Sequence, residues 1–172
     1  MPLERGGARL ALAAWSARGA MDANAKVLAV IPPRANGLRA VLEAEGCAIL
    51  ESADTARGLG ASLAAGVRHS RDAGGWIVAL GDMPFISTPT FAAIQRALAD
   101  GALIAAPVDR ASGARGHPVG FARGLHEELC ALDGDEGARS VMHAHRDAVV
   151  LIPVDDAGIT RDVDRPSDLT SA

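Results

Sequence analysis

The sequence predicts an α/β protein, a doubly wound and mostly parallel sheet with helices on both faces. Three observations carry this. Short runs rich in Val, Ile and Leu recur at 26–31, 47–50, 76–80, 103–108 and 149–154. Segments with helically spaced apolar residues separate nearly all of them, which implies crossover connections and parallel pairing. The apolar residues are also mostly aliphatic: 49% of the 172 residues are hydrophobic, only 3% are aromatic, and tyrosine is absent. That length supports one domain with a real core. No linker or repeat interrupts the alternation, so 1–172 is read as a single domain.

The elements follow in order. Residues 10–25 are Ala-rich, with Leu and Met at helical spacing. Residues 26–31 read as a strand stopped by Pro32-Pro33. Residues 38–45 form a short helix ending at Gly46, a usual C-terminal stop. A second strand covers 47–50. Leu59, Leu63 and Val67, four apart, mark the buried face of the next helix. Residues 76–80 are the third strand. Thr88 is the expected N-cap of the following helix, with Pro89 first inside and Phe91, Ile94 and Leu98 as its apolar stripe. A fourth strand is expected at 103–108 and a polar loop at 109–116. A short strand follows at 118–121, then helices at 125–132 and 138–145. The last clear strand is 149–154. Residues 159–163 read as another short strand and 166–169 as a terminal helical turn.

Composition narrows the function. The formal net charge is −4, with 22% charged residues. That argues against a general nucleic-acid-binding surface, while a nucleotide substrate needs only local cations. Cys47 and Cys130 form no CxxC motif. They read as small core residues of a reduced, cytoplasmic protein. No apolar run approaches the ~20 residues of a membrane span. Arg5, Arg9 and residues 10–15 faintly mimic a secretory leader, but the apolar part is too short.

The third strand ends in Gly81-Asp82-Met83-Pro84, which places Asp82 just past its carboxyl end. In open α/β sheets ligands bind at that edge, and a carboxylate there suits a divalent cation on a phosphate. Asp is also a common turn former, so this segment alone leaves both readings open.

Four further clusters fall on loops or element ends: Arg57-Gly58-Leu59-Gly60-Ala61-Ser62, Arg115-Gly116-His117-Pro118, Gly134-Asp135-Glu136-Gly137-Ala138-Arg139, and Asp162-Val163-Asp164-Arg165-Pro166-Ser167-Asp168-Leu169. With the Asp82 turn, and in this order, they make the chain resemble the MobA-like nucleotidyltransferases of Rossmann-like fold. Within that group it is most similar to the molybdenum cofactor cytidylyltransferases, whose pattern includes Arg-Gly-His-Pro and Gly-Asp-x-Gly-Ala-Arg. The resemblance implies transfer of CMP from CTP to the phosphate of molybdopterin, with release of pyrophosphate. It makes Asp82 and Asp164 the catalytic Mg²⁺ ligands, with Asp162 as the substitute for the second. It sets Gly58, Gly60 and Ser62 along the nucleotide base and sugar, and His117 and Arg139 toward the pterin phosphate. A molybdenum hydroxylase is the implied recipient of the product.

The resemblance breaks at two places. The family opens with a strand and a glycine-rich phosphate loop, whereas Met1-Pro2-Leu3-Glu4-Arg5-Gly6-Gly7 resembles the segment after that loop. The expectation is a sheet lacking that first strand, with its neighbours' edges unpaired, and an impaired triphosphate cradle. Arg165 also stands where the family has a helix-capping Thr. Two other readings stay open: a non-catalytic molybdopterin carrier for a hydroxylase, and a nucleotidyltransferase using GTP or a sugar-phosphate acceptor. His143 and His145 do not form a metal pair, because residues two apart do not share a helix face.

Overall fold

Strand and helix alternate along the chain in a computed structural model that describes residues 5–163. Helix α1 (Arg5–Asp22) leads into β1 (Leu28–Ile31), α2 (Asn36–Ala44) and β2 (Ala48–Glu51). After α3 (Leu59–His69) come β3 (Gly75–Val78), α4 (Thr88–Ala99) and β4 (Ile104–Asp109). Strand β5 (Val119–Ala122), the short helices α5 (His126–Cys130) and α6 (Arg139–Ala144), and β6 (Val149–Val154) complete the set. The fold is mixed α/β with helices on both sheet faces, matching the Rossmann-like nucleotidyltransferase fold.

Among the described residues the sheet is divided. Strands β1 and β2 pair in parallel, while the other four are ordered β3-β5-β4-β6. Strand β5 runs antiparallel to β3 and β4, and β4 is parallel to β6, so β3, β4 and β6 share one direction. The two pieces lie in one layer. Ala17 and Met21 of α1 pack with Ile31, and Ala20 packs in a cluster with Val27 and Ile77. On the opposite face α3 contacts β1, and its Val67 packs in one cluster with Trp76 and Val78. Among the described residues, strands β1 and β3 thus each keep one edge without a strand partner inside a two-sided helical cover. Hydrogen bonding within β1 locates that edge. Ala48 N–H donates to Val27 C=O and Ser52 N–H to Ile31 C=O, so residues 27, 29 and 31 face β2, and Leu28 and Val30 face the opening.

Side chains alternate across the layer as the pleat requires. Ile77 joins Phe91 and Met83 beneath α1 and α4, whereas Trp76 and Val78 join Ile104, Phe121, Leu129 and Val141 beneath α3, α5 and α6. Small residues let α1 approach closely: a Cβ on Gly19 would lie 3.0 Å from Ile86 O and 3.1 Å from the Phe91 ring. Among the described residues no helix is long and apolar enough to cross a membrane.

Several local expectations shift. The first helix begins at Arg5, and β3 ends at Val78 rather than residue 80. Ser87, not Thr88, is the N-cap residue of α4. Asp156 decides this from across the fold, because its carboxylate accepts from the Ser87 N–H and hydroxyl. The expected strand at 159–163 is instead a 3-10 turn at Ala157–Thr160, begun by Asp156 accepting from Gly158 N–H. The terminal turn expected at 166–169, Asp164 and Arg165 lie outside the described residues.

Candidate active site

The motif loops interlock in two groups, and glycines make the interlocking possible. The first joins the start of α3 to the loop before α6. Gly58 has φ +113°, a region that L side chains rarely enter. A Cβ there would meet Gly134 O at 2.5 Å, and one on Gly60 would meet Asp133 O at 2.6 Å. Gly60 N–H donates to Gly134 C=O at 2.7 Å. Arg57 adds ion pairs to Asp133 (2.7 Å) and Asp54 (3.2 Å). The Ser62 hydroxyl donates to Gly58 C=O at 2.8 Å, which closes the first turn of α3. The close approach at Gly58 and Gly60 is therefore made by the 133–135 loop.

The second group gathers the Asp82 turn, the Arg-Gly-His-Pro loop and the segment 156–163. The Ser16 hydroxyl of α1 donates to Gly81 C=O at 3.0 Å, and Val163 N–H donates to Asp82 C=O at 2.9 Å. Met83 is buried beneath them. His117 N–H donates to Ile159 C=O at 2.8 Å, and a Cβ on Gly116 would overlap the Ile159 backbone. Gly158 packs equally closely on Phe85 C=O, while Arg161 lies 4.0 Å over the Phe85 ring. The Asp82 turn is thus pinned from both sides, with an exposed carboxylate that makes no hydrogen bond or ion pair among the described residues. Asp162, next to Val163, is exposed and unpartnered in the same sense.

Between the two groups lies a cavity of about 330 Å³. Val78, Leu80, Ala106, Val119, Phe121 and Met142 give it an apolar floor, and Leu59 and Leu63 form one wall. Arg115, His117, Asp135, Glu136 and Arg139 supply its polar groups. Arg115 and Arg139 are exposed cations with no ion-pair partner among the described residues. The His117 ring donates to the Val78 carbonyl, and its Nδ1 is buried without a partner. Burial pushes its pKa down, against the opposing effects of that hydrogen bond and the Asp82 charge. A neutral imidazole bonded in this way presents an Nδ1 lone pair, an acceptor for a ligand N–H or O–H.

The structure thus brings His117 and Arg139 into one cavity, with Gly58, Gly60 and Ser62 behind its loop wall and Asp82 just beyond its floor at Leu80. Asp164 lies outside the described residues. The sequence reading missed Arg115 and the floor residues Leu80, Phe121 and Met142. Arg115 opens a motif already singled out, and that was the available signal. The floor residues carried none, because apolar strand positions look alike whether they line a cavity or a core.

Unpartnered carboxylates suit a hard divalent cation that takes oxygen ligands and completes its shell with water and phosphate. Among the described residues no cluster of three or more metal-binding side chains exists, and Asp82 and Asp162 are the exposed carboxylates nearest the Asp82 turn. An α/β sheet with such carboxylates beside an arginine-rimmed cavity suits a protein that handles phosphate groups with a divalent cation. Family comparison agrees: residues 4–161 match the MobA-like NTP transferase domain, and the chain belongs to that family. Comparison with curated proteins gave no match. Among solved structures it is similar to Rv0371c of Mycobacterium tuberculosis H37Rv in complex with manganese. That likeness has 23% identity and a TM-score of 0.76, over 92% of this chain and 84% of that one. A homolog of Rv0371c from Mycobacterium sp. strain JC1 is 25% identical, with a TM-score of 0.75, over 99% and 83% of the chains. The nucleotidyl transferase Mth528 of Methanothermobacter thermautotroptrophicus is 20% identical, with a TM-score of 0.74, over 92% and 77%.

Proposed function

We propose that this protein transfers CMP from CTP to the terminal phosphate of molybdopterin, with pyrophosphate as the leaving group. The observation that carries the reading is the cavity itself: an apolar floor rimmed by two unpaired arginines, opening beside the Asp82 turn. A flat pterin suits the floor of Leu80, Val119, Phe121 and Met142. Arg115 and Arg139 offer their forked donors to its phosphate. His117 accepts a ligand N–H at Nδ1, which relieves an otherwise unpaired buried atom. The backbone around Gly58, Gly60 and Ser62 borders the nucleotide's base and sugar.

Asp82 and Asp164 are the proposed ligands of Mg²⁺, with Asp162 as the alternative second carboxylate; the manganese complex of Rv0371c supports a divalent cation here. Such a cation, when bound, neutralises phosphate charge. The arginines hold the attacking phosphate oxygen in place, which lowers the entropic part of the barrier. The product then passes to a molybdenum hydroxylase, and the location is the cytoplasm.

The test supplies Mg²⁺, molybdopterin and either CTP or GTP and follows pyrophosphate. Release with CTP that is lost in Asp82→Asn supports the proposal. No release with either nucleotide overturns it. Calorimetry then separates the remaining readings: molybdopterin binding without CTP binding indicates a carrier. Release with GTP or with a sugar phosphate indicates a different specificity.

A further inference from the structure

We infer that Asp156 is a positioning residue for the metal-binding carboxylates, an inference that rests on the divalent-cation reading of the Asp82 site. Asp156 is 9% exposed and carries no ionic partner among the described residues. One of its oxygens accepts three hydrogen bonds from the start of α4: Ser87 N–H at 2.9 Å, Ser87 Oγ at 2.8 Å and Thr90 Oγ1 at 2.5 Å. Its other oxygen accepts from Gly158 N–H at 3.0 Å. A single carboxylate therefore joins the helix that follows the Asp82 turn to the segment that leads into Asp162 and Asp164.

Each end of this joint reaches the site through a short chain. On one side only residues 83–86 separate Asp82 from Ser87, and Met83 and Ile86 within them are buried. On the other, the 3-10 turn begun at Asp156 lays Gly158 on Phe85 C=O and brings Val163 N–H to Asp82 C=O. Asp156 thus ties together the backbones that carry Asp82 and Asp162, alongside the Val163 N–H to Asp82 C=O hydrogen bond. Asn at this position is isosteric, but its NH₂ group cannot accept. It can satisfy the α4 side or Gly158, not both, so one half of the joint is released.

The experiment titrates Mn²⁺ alone into the full chain and follows free ion by electron paramagnetic resonance, with thermal melting in parallel. Wild type, Asp82→Asn, Asp156→Asn, Thr90→Val and Ile94→Val are compared. Thr90→Val removes one hydrogen bond at a buried, nearly isosteric site if Asp156→Asn folds poorly. Ile94 is fully buried in the same helix, one turn beyond Thr90, where its hydrocarbon side chain makes none of the joint's hydrogen bonds, and reports on destabilisation alone. Outer partners that orient metal ligands typically change affinity by tenfold or more. The expected result is a roughly tenfold rise in Kd for Asp156→Asn, a smaller rise for Thr90→Val, and no change for Ile94→Val despite its lower melting temperature. Equal affinity in wild type, Asp156→Asn and Thr90→Val overturns the inference, as does an equal loss in Ile94→Val. If wild type and Asp82→Asn bind Mn²⁺ alike, the metal reading itself falls, which the Asp82 arm detects separately.

Discussion

Gly60 shows how a side chain's absence can be a structural requirement. In a helix, Gly→Ala ordinarily gains about 1 kcal/mol. Here the new methyl would press on Asp133 O, so Gly60→Ala is expected to destabilise, by on the order of 1–3 kcal/mol as overpacking does. Urea denaturation measures this, and a stabilised variant would refute the interlocking of the two loops. His117 adds a dependence on pH. Its pKa is lowered in the folded state by burial, so as pH falls the unfolded chain takes up this proton first. The contribution of His117 to stability is present above the unfolded value of about 6.5 and is lost as pH drops toward the lower folded value. His117→Gln should flatten the stability profile below about pH 6.5, as read from urea midpoints at falling pH. An unchanged slope would contradict the assigned burial. Both residues were legible in the sequence as motif members. Their partners were not, since Asp133 O and Val78 O are backbone atoms that any residue presents.

At the scale of elements, hydrogen-bond phase separates paired from unpaired edges. Arg123 N–H donates to Gly74 C=O, so residues 74, 76 and 78 face β5, and Gly75 and Ile77 face the opening toward β1. Amide exchange should therefore alternate. Leu28, Val30, Gly75 and Ile77 are expected to exchange faster than Ala29, Ile31, Trp76 and Val78, as resolved by NMR. Uniform protection along β1 and β3 would mean that the opening is closed by further backbone hydrogen bonds. Strands and helices were readable here because aliphatic runs and helical spacings are local. The cap of α4 was misplaced by one residue because its ligand, Asp156, lies 69 residues from Ser87.

Across the whole molecule the core falls into clusters that follow the division of the sheet only in part, since one of them holds both Val27 and Ile77. Ala17, Ile31, Leu42 and Cys47 form one cluster, and the larger cluster around Ile104, Phe121 and Leu129 forms another. Ala20, Met83, Ile86 and Phe91 make a third beneath α1 and α4. No sheet hydrogen bond among the described residues joins β1–β2 to the rest. Local opening follows such boundaries. Native-state exchange with increasing denaturant should show β1 and β2 opening at lower free energy than β4 and β5. Coincident opening with equal denaturant dependence would show one cooperative unit instead.

Read alone, the sequence determined the α/β alternation, the order of the five motifs and the residue types able to bind phosphate and a divalent cation. These are encoded in neighbouring residues, through periodicity and turn chemistry. Tertiary structure alone decided which loops the glycines lock together, that Arg115 shares a cavity with Arg139, and that Asp156 ties α4 to the segment before Asp162. It also decided which strand edges stay open. The locked glycines and the Asp156 tie join groups far apart in the chain, as Gly60 with Gly134 and Ser87 with Asp156, and backbone carbonyls, buried hydroxyls and free edges leave no mark in local composition.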